Sequence, residues 1–247
     1  MNIQLIIAYD GTHFLGWQKT SDGPTIEGTL QQVLEQIYQE PLLLQAASRT
    51  DRGVHATGQV VSYRTKKERD LKKIQFSLNQ MLPPTIRIRA IKEVADDFHP
   101  TLDAIEKEYH YFVTTSLIQS PFDRCFAWHC YYPFDLEKMK QAASSLLGTC
   151  NFSAFCNVSV SQSQEKVCTI KALDIIQQEE RLKMIIKGNR FLYKMARNLV
   201  GYLIDIGRGK IQNDQTLLKK QDRKLSGITA PAHGLILKYV NYGDPQN

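Results

Sequence analysis

No apolar run in the chain approaches the roughly 20 residues that a helix needs to cross a bilayer, which argues against membrane insertion. Cysteine is scarce and odd in number: Cys125, Cys130, Cys150, Cys156 and Cys168, with no C-x-x-C pair, which excludes a disulfide framework and points to a reduced, cytoplasmic protein. The opening Met-Asn-Ile-Gln-Leu has no basic region ahead of an apolar stretch, so no secretory leader is expected. Glycine-rich phosphate loops are missing, since Gly201, Gly207 and Gly209 fit neither G-x-G-x-x-G nor G-x-x-x-x-G-K-S/T, and a nucleotide cofactor has no support. His55, His110 and His129 lack the spacing that gathers metal ligands, so no metal is expected. Ser48 near His55 lacks the G-x-S-x-G setting of a hydrolase nucleophile.

What the chain does have is positive charge. Its 31 basic and 25 acidic residues leave +6 over 247 residues, a balance that favours a polyanionic partner without requiring one.

The apolar pattern predicts a first strand over Ile3 to Ala8, ended by Tyr9-Asp10-Gly11. Ile26, Leu30, Val33, Leu34 and Ile37 predict a helix starting near Thr25. Strands follow at Leu42 to Ala47 and Gln59 to Tyr63, flanking a loop over Ser48 to Gly58. Leu71, Ile74, Leu78, Met81 and Leu82 then predict a helix stopped by Pro83-Pro84, and Ile86, Ile88 and Ala90 a fourth strand. Strand, helix, strand, strand, helix, strand is the ferredoxin-like order. The second half offers strands at Tyr109 to Thr115 and Phe126 to Tyr132, a helix capped by Asp135 and ended by Gly148, and a hairpin of Val167 to Gln177 with Leu182 to Lys187. A long helix from about Arg190 to Ile206 and a late strand at Leu235 to Tyr239 complete it. The expected class is α+β: two ferredoxin-like halves, 1–104 and 105–247, whose antiparallel sheets join around a central active-site cleft.

Chemistry concentrates in the loop Ala47-Ser48-Arg49-Thr50-Asp51-Arg52-Gly53-Val54-His55. Arginines on both sides of Asp51 favour its anionic form, which suits a nucleophile or a stabiliser of positive charge. A surface loop with a local ion pair and turn glycines has the same composition. On a helix through 190–206, Arg190, Lys194 and Arg197 would share one face opposite an apolar one. Such a face fits phosphate binding, and fits an ordinary solvated face as well. In Lys107-Glu108-Tyr109-His110-Tyr111-Phe112, Tyr109 can stack on a base if it faces a cleft, or simply pack if it faces the sheet.

Arg49-Thr50-Asp51-Arg52-Gly53-Val54-His55-Ala56 resembles the R-T-D-x-G-V-H-A signature of the tRNA pseudouridine synthase A family. Further stretches resemble that family in its order along the whole chain: Tyr9-Asp10-Gly11 with Gly16-Trp17-Gln18, Asp97-Phe98-His99, Lys107-x-Tyr109-x-Tyr111, Asn151-Phe152-x-x-Phe155, Met195-Ala196-Arg197-Asn198, and Thr229-Ala230-Pro231-Ala232-His233-Gly234-Leu235. The resemblance implies isomerisation of uridine to pseudouridine in the tRNA anticodon stem-loop, at positions thirty-eight, thirty-nine and forty, by a homodimer with no cofactor and no metal. It implies Asp51 as the nucleophile, Tyr109 as the residue against the target base and Arg197 as the arginine that pairs with the catalytic aspartate. RNA contacts fall to Arg49, Arg52, His55, Arg190 and Lys194. The chain departs from the family's usual pattern at Ser48, where glycine is common, at Thr101, where a basic residue is common, and at Arg190 and Lys194, where small or polar residues are common, so the RNA contacts of these last two rest on their positive charge. A relative acting on another uridine, and an RNA-binding module with an inactive site, are the competing readings.

Overall fold

The computed structural model describes residues 1–157 and 166–243. Its internal contacts divide the chain into two units, Met1–Ile105 together with the segment from Ile236, and Glu106–Leu235. Each unit combines helices with a sheet, so the class is α+β.

In the first unit β1 (Asn2–Tyr9), α1 (Ile26–Tyr38), β2 (Leu44–Ala46), β3 (His55–Arg64), α2 (Leu71–Met81) and β4 (Ile86–Val94) follow one another. β1 is flanked by antiparallel neighbours, with Leu5 opposite Val61 of β3 and Ile91 of β4, and β2 lies on the far side of β3 with Ala46 opposite Val61. The strand order is therefore β4-β1-β3-β2. Ile3, Leu5, Ile7 and Tyr9 are buried while Ile6 and Ala8 between them are not fully so, the period of two that gives a strand one core face. Thr25 caps α1 by accepting from the Gly28 N–H, and Ile26, Leu30, Val33 and Leu34 bury its apolar stripe. Asp70 caps α2 in the same way through Lys72 and Lys73. This helix ends where Leu82 turns extended ahead of Pro83, because a residue before proline is barred from helical angles.

The second unit contains β5 (Glu106–Thr114), β6 (Trp128–His129), α3 (Leu136–Ser145), β7 (Gly148–Asn151), β8 (Val167–Gln178), β9 (Arg181–Gly188), α4 (Met195–Gly207) and α5 (Leu217–Lys220). Its sheet runs β5-β9-β8-β7, each pair antiparallel. Asp135 caps α3 by accepting from the Lys138 N–H. α3 packs on α4 so closely that a Cβ on Gly207 would lie 2.5 Å from the Met139 sulfur. The chain then returns to the first unit: β10 (Leu235–Asn241) pairs in parallel with β3 through Ile236–His55 and Leu237–Ala56.

The structure corrects several expectations. The sheets are not purely antiparallel, because β10 joins β3 in parallel and the two-residue β6 joins β5 in parallel. The strand expected over Phe126 to Tyr132 is only Trp128–His129, since the Phe126 and Ala127 N–H groups turn back onto the Asp123 carbonyl. Gly148 does not end α3; it opens β7 at φ +101°. The motif loop is shorter than expected, because β3 already begins at His55. Most consequential, the helix expected from Arg190 begins at Met195, because Lys194 sits at φ 59° in the left-handed region that a right-handed helix cannot contain. Arg190 and Lys194 therefore precede the helix. Nor does α4 have a wet face: every residue from Met195 to Gly207 is buried except Arg197.

Candidate active site

Asp51 lies in the first unit, half-buried on the connection from β2 to β3. The Val54 N–H donates to the Asp51 carbonyl at 3.1 Å, closing a turn through Arg52 and Gly53. Gly53 is at φ +78°, a value that a turn with a left-handed third residue reserves for glycine. Thr50, one residue before the aspartate, is held from three directions. The Tyr9 hydroxyl at the end of β1 bonds its Oγ1 at 2.7 Å, the Trp17 N–H donates to its carbonyl at 3.0 Å, and Gly16 approaches so closely that a Cβ there would lie 2.8 Å from that carbonyl oxygen.

The start of the loop is pinned from β3. Gln59, fully buried, takes the Ser48 N–H on its Oε1 at 3.2 Å and returns its Nε2–H to the Ser48 carbonyl at 2.6 Å. This two-way bond copies a sheet pairing with a side chain and leaves neither group of Ser48 bare. The far end of the loop is fixed against Gly11, where a Cβ would lie 2.0 Å from the Val54 carbonyl oxygen. Two motifs distant in sequence, Tyr9-Asp10-Gly11 and Gly16-Trp17, thus act as the walls against which the Asp51 loop is cast.

His55 belongs to this scaffold. It is 2% exposed, and its Nδ1 accepts from the Gly11 N–H at 3.0 Å. The same nitrogen lies 3.2 Å from Asp10 Oδ1, so the end of β1 meets this ring through both a backbone N–H and a carboxylate. Burial raises the Asp10 carboxyl, and the Thr12 hydroxyl and N–H outweigh it, leaving the group below its ordinary range. His55, expected to contact RNA, is thus placed in the interior beside the Asp51 loop. Arg49 and Arg52 are exposed.

Tyr109 and Arg197 lie in the second unit. On β5, alternation puts Lys107, Tyr109 and Tyr111 on one side, with Glu108 and His110 on the other. Tyr109 is 5% exposed and its ring meets Phe191 edge to face, centroids 5.0 Å apart. Lys107 is buried beside it, and desolvation, with the Arg190 guanidinium second, pushes its ammonium down to about 8. Tyr111 donates its hydroxyl to the Pro231 carbonyl at 2.8 Å; burial pushes this phenol up, with Arg197 near enough to oppose the shift.

Arg197 stands in the first turn of α4 and is clamped to the 226–230 segment. Its Nε–H donates to the Ala230 carbonyl at 2.8 Å, and the Ala230 N–H donates to the Arg197 carbonyl at 3.1 Å. Gly201, one turn on, lets this segment touch the helix: a Cβ there would lie 1.8 Å from the Ile228 carbonyl oxygen. Arg190 and Lys194, half-buried, sit on the turn before α4, where the Lys194 ammonium rests 4.9 Å over the Tyr193 ring. Among the described residues no group of three His, Cys, Asp or Glu side chains could hold a metal ion, and no helix is long and apolar enough to cross a membrane.

Local reading of the sequence missed Gln59, Gly16 and the segment around Ala230 as parts of the site. The resemblance had marked Gly16-Trp17-Gln18 and Thr229-Ala230-Pro231, but no periodicity signals a contact made across the fold.

The family described as tRNA pseudouridine synthase matches residues 5–103 and 142–243. The protein named tRNA pseudouridine synthase A 2 of Protochlamydia amoebophila is 48% identical over 246 residues, spanning 98% of this chain and 94% of that one. Those named tRNA pseudouridine synthase A of a Thermoanaerobacter species and of Chlamydia muridarum are 39% and 41% identical, each over 98% of this chain and over 99% and 92% of their own lengths. Among solved structures, a chain of a Cbf5-Nop10-Gar1 complex matches 82% of this chain and 45% of its own length, with a TM-score of 0.38 at 10% identity. A family match over both units, and near-full-length relatives at such identities, show that the chain belongs to the tRNA pseudouridine synthase family.

Proposed function

We propose that the chain isomerises uridine to pseudouridine in the tRNA anticodon stem-loop, at positions thirty-eight, thirty-nine and forty, with Asp51 as nucleophile. Family membership makes it an isomerase acting on tRNA. The residue assignment rests on one observation: Asp51 follows a threonine fixed by Tyr9, Gly16 and Trp17, the immobility that a reacting group needs.

The reaction exchanges the C1′–N1 bond for a C1′–C5 bond, with a proton lost from C5 and one gained at N1. Atoms and electrons balance without an oxidant, reductant or cofactor. A uracil in a stem must first be turned out of the stack, at about a few kcal/mol. Stacking on Tyr109, whose ring Phe191 holds at its edge, offsets part of that cost. Asp51 then attacks C1′ or C6, with Arg197 in the part that the resemblance implies for it, the arginine paired with the catalytic aspartate. Arg49, Arg52, Arg190 and Lys194 take the phosphates. We read each unit as a ferredoxin-like half, supported in the first by the order β4-β1-β3-β2, and the working form as a cytoplasmic homodimer, as the resemblance implies.

The test is tritium release from tRNA carrying C5-labelled uridine. Wild-type protein releases label, and replacing uridines thirty-eight, thirty-nine and forty singly locates the targets. Asp51→Asn is expected to lose at least about 10³-fold in single-turnover rate while binding tRNA within a few-fold of wild type. Asp51→Asn with wild-type turnover sinks the nucleophile assignment.

A further inference from the structure

Arg223 has no place in the reaction as described, yet all of its hydrogen-bond donors are engaged. Its guanidinium makes five hydrogen bonds to as many different groups: Nε to Asn157 Oδ1 at 3.2 Å, one terminal nitrogen to Ser226 Oγ at 3.0 Å and the Gly227 carbonyl at 2.8 Å, the other to Asn198 Oδ1 at 2.8 Å and Thr229 Oγ1 at 2.6 Å. A guanidinium has five N–H donors, and each has its own acceptor. All five acceptors are neutral groups, and burial holds its pKa below the ordinary value. A charge kept half-buried among neutral acceptors is an expensive way to join a loop to a helix, which asks for a reason beyond cohesion.

The acceptors identify that reason. Asn198 follows Arg197 on α4, and Thr229 precedes Ala230. Those two neighbours, Arg197 and Ala230, form the clamp in which the Arg197 Nε–H meets the Ala230 carbonyl. One terminal nitrogen of Arg223 bonds both flanking side chains, and the Thr229 hydroxyl closes the triangle by donating to Asn198 Oδ1 at 2.7 Å. Asn198 spends its remaining two donors on the Phe155 carbonyl and on Asn157 Oδ1, so every proton in the network has a defined direction. With Nε fixed by Ala230, the plane of the Arg197 guanidinium is set. The segment that carries the Ala230 carbonyl is in turn bonded by Arg223 at Ser226, Gly227 and Thr229.

We propose that Arg223 is a positioning residue for uridine isomerisation: it never meets the RNA, and it fixes the 226–230 segment so that the Ala230 carbonyl holds the Arg197 side chain in its working plane. The inference rests on the role assigned to Arg197 above. Lysine cannot substitute, because an ammonium has three donors for five acceptors and no planar fork.

The experiment is a double-mutant cycle read by single-turnover tritium release and by tRNA binding. Arg223→Lys is expected to slow the chemical step about 10-fold or more with affinity within about twofold. In an Arg197→Ala background the same change is expected to slow it by less than about twofold. Equal losses in both backgrounds, or a wild-type rate in Arg223→Lys, overturn the inference. Should Arg223→Lys fail to fold, Thr229→Val and Thr229→Ser replace it: valine is expected to slow the step and serine, which keeps the hydroxyl, to restore it, and equal rates overturn the proposal. Arg197→Ala at wild-type rate removes the Arg197 role and this inference with it. A slow Arg197→Ala beside a fast Arg223→Lys removes the inference alone.

Discussion

At Gly16 the backbone holds φ +102°, and a Cβ would lie 2.8 Å from the Thr50 carbonyl oxygen and 3.0 Å from the Arg52 nitrogen. Gly16→Ala therefore strains the chain twice. The left-handed conformation alone costs an L-residue about 1–2 kcal/mol, and the contact pushes on the two residues that bracket Asp51. The expected outcome is a lower denaturant midpoint together with a slower chemical step at little-changed tRNA affinity; wild-type values for both would show that the loop tolerates displacement. Asp51 and its arginines could be singled out from composition, because a crowd of charges between strands is chemically legible. Gly16 could not, since only the fold brings it to Thr50. His55 was legible as a chemically able side chain, but its burial was hidden in where β3 begins.

At the scale of elements, α4 shows where periodicity informs and where it fails. The alternation of β1, and the stripes and caps of α1 and α2, were readable because each element has one wet side and one dry side. α4 is buried all round except at Arg197, and a helix with no wet side gives periodicity nothing to phase on. The apolar run also continues backwards into Phe191 and Leu192, so the stop imposed by the left-handed Lys194 was invisible. The same helix tests competing effects at Gly201. Helix propensity favours Gly201→Ala by about 1 kcal/mol, whereas the new Cβ would fall 1.8 Å from the Ile228 carbonyl oxygen. Backbone overlap of that size dominates, and the variant is expected to lose about 1–3 kcal/mol of stability and to slow catalysis by lifting the segment that carries Ala230. Urea unfolding and single-turnover rates check both; a stabilised, fully active variant would mean the segment can step aside.

For the whole molecule the most informative titration is that of Lys107. Its folded pKa of about 8 lies below its ordinary 10.5, so between those values the unfolded chain holds a proton that the folded chain has released. Stability from this group therefore rises with pH across that window, by at most about 1.4 kcal/mol per pH unit, and is least below pH 8, where the charge is buried in the folded state. The Cys130 and Cys156 thiols, raised by burial, act in the opposite direction above about pH 8.5. The lysine is thus read from the difference between wild type and Lys107→Met in denaturation from pH 7 to 10. That difference should shrink as pH rises, and a constant difference would place the ammonium in water. Arg190→Ala should move the onset upward, because a like charge is removed.

The segment from Ile236 has a consequence for synthesis. Besides pairing with His55 and Ala56, it gives the Lys238 carbonyl to the Thr57 hydroxyl, the Asn241 carbonyl to the Ile105 N–H and the Tyr242 hydroxyl to the Pro100 carbonyl. A ribosome delivers residues 1–105 early and their closing strand only after 106–235 have emerged, on the order of ten seconds later at ordinary translation speed. For that interval the edge of β3 beside the Asp51 loop is an open hydrogen-bonding margin, available to chaperones and to other nascent chains alike. The loop that carries Asp51 acquires this neighbour only after the whole of the second unit has been made.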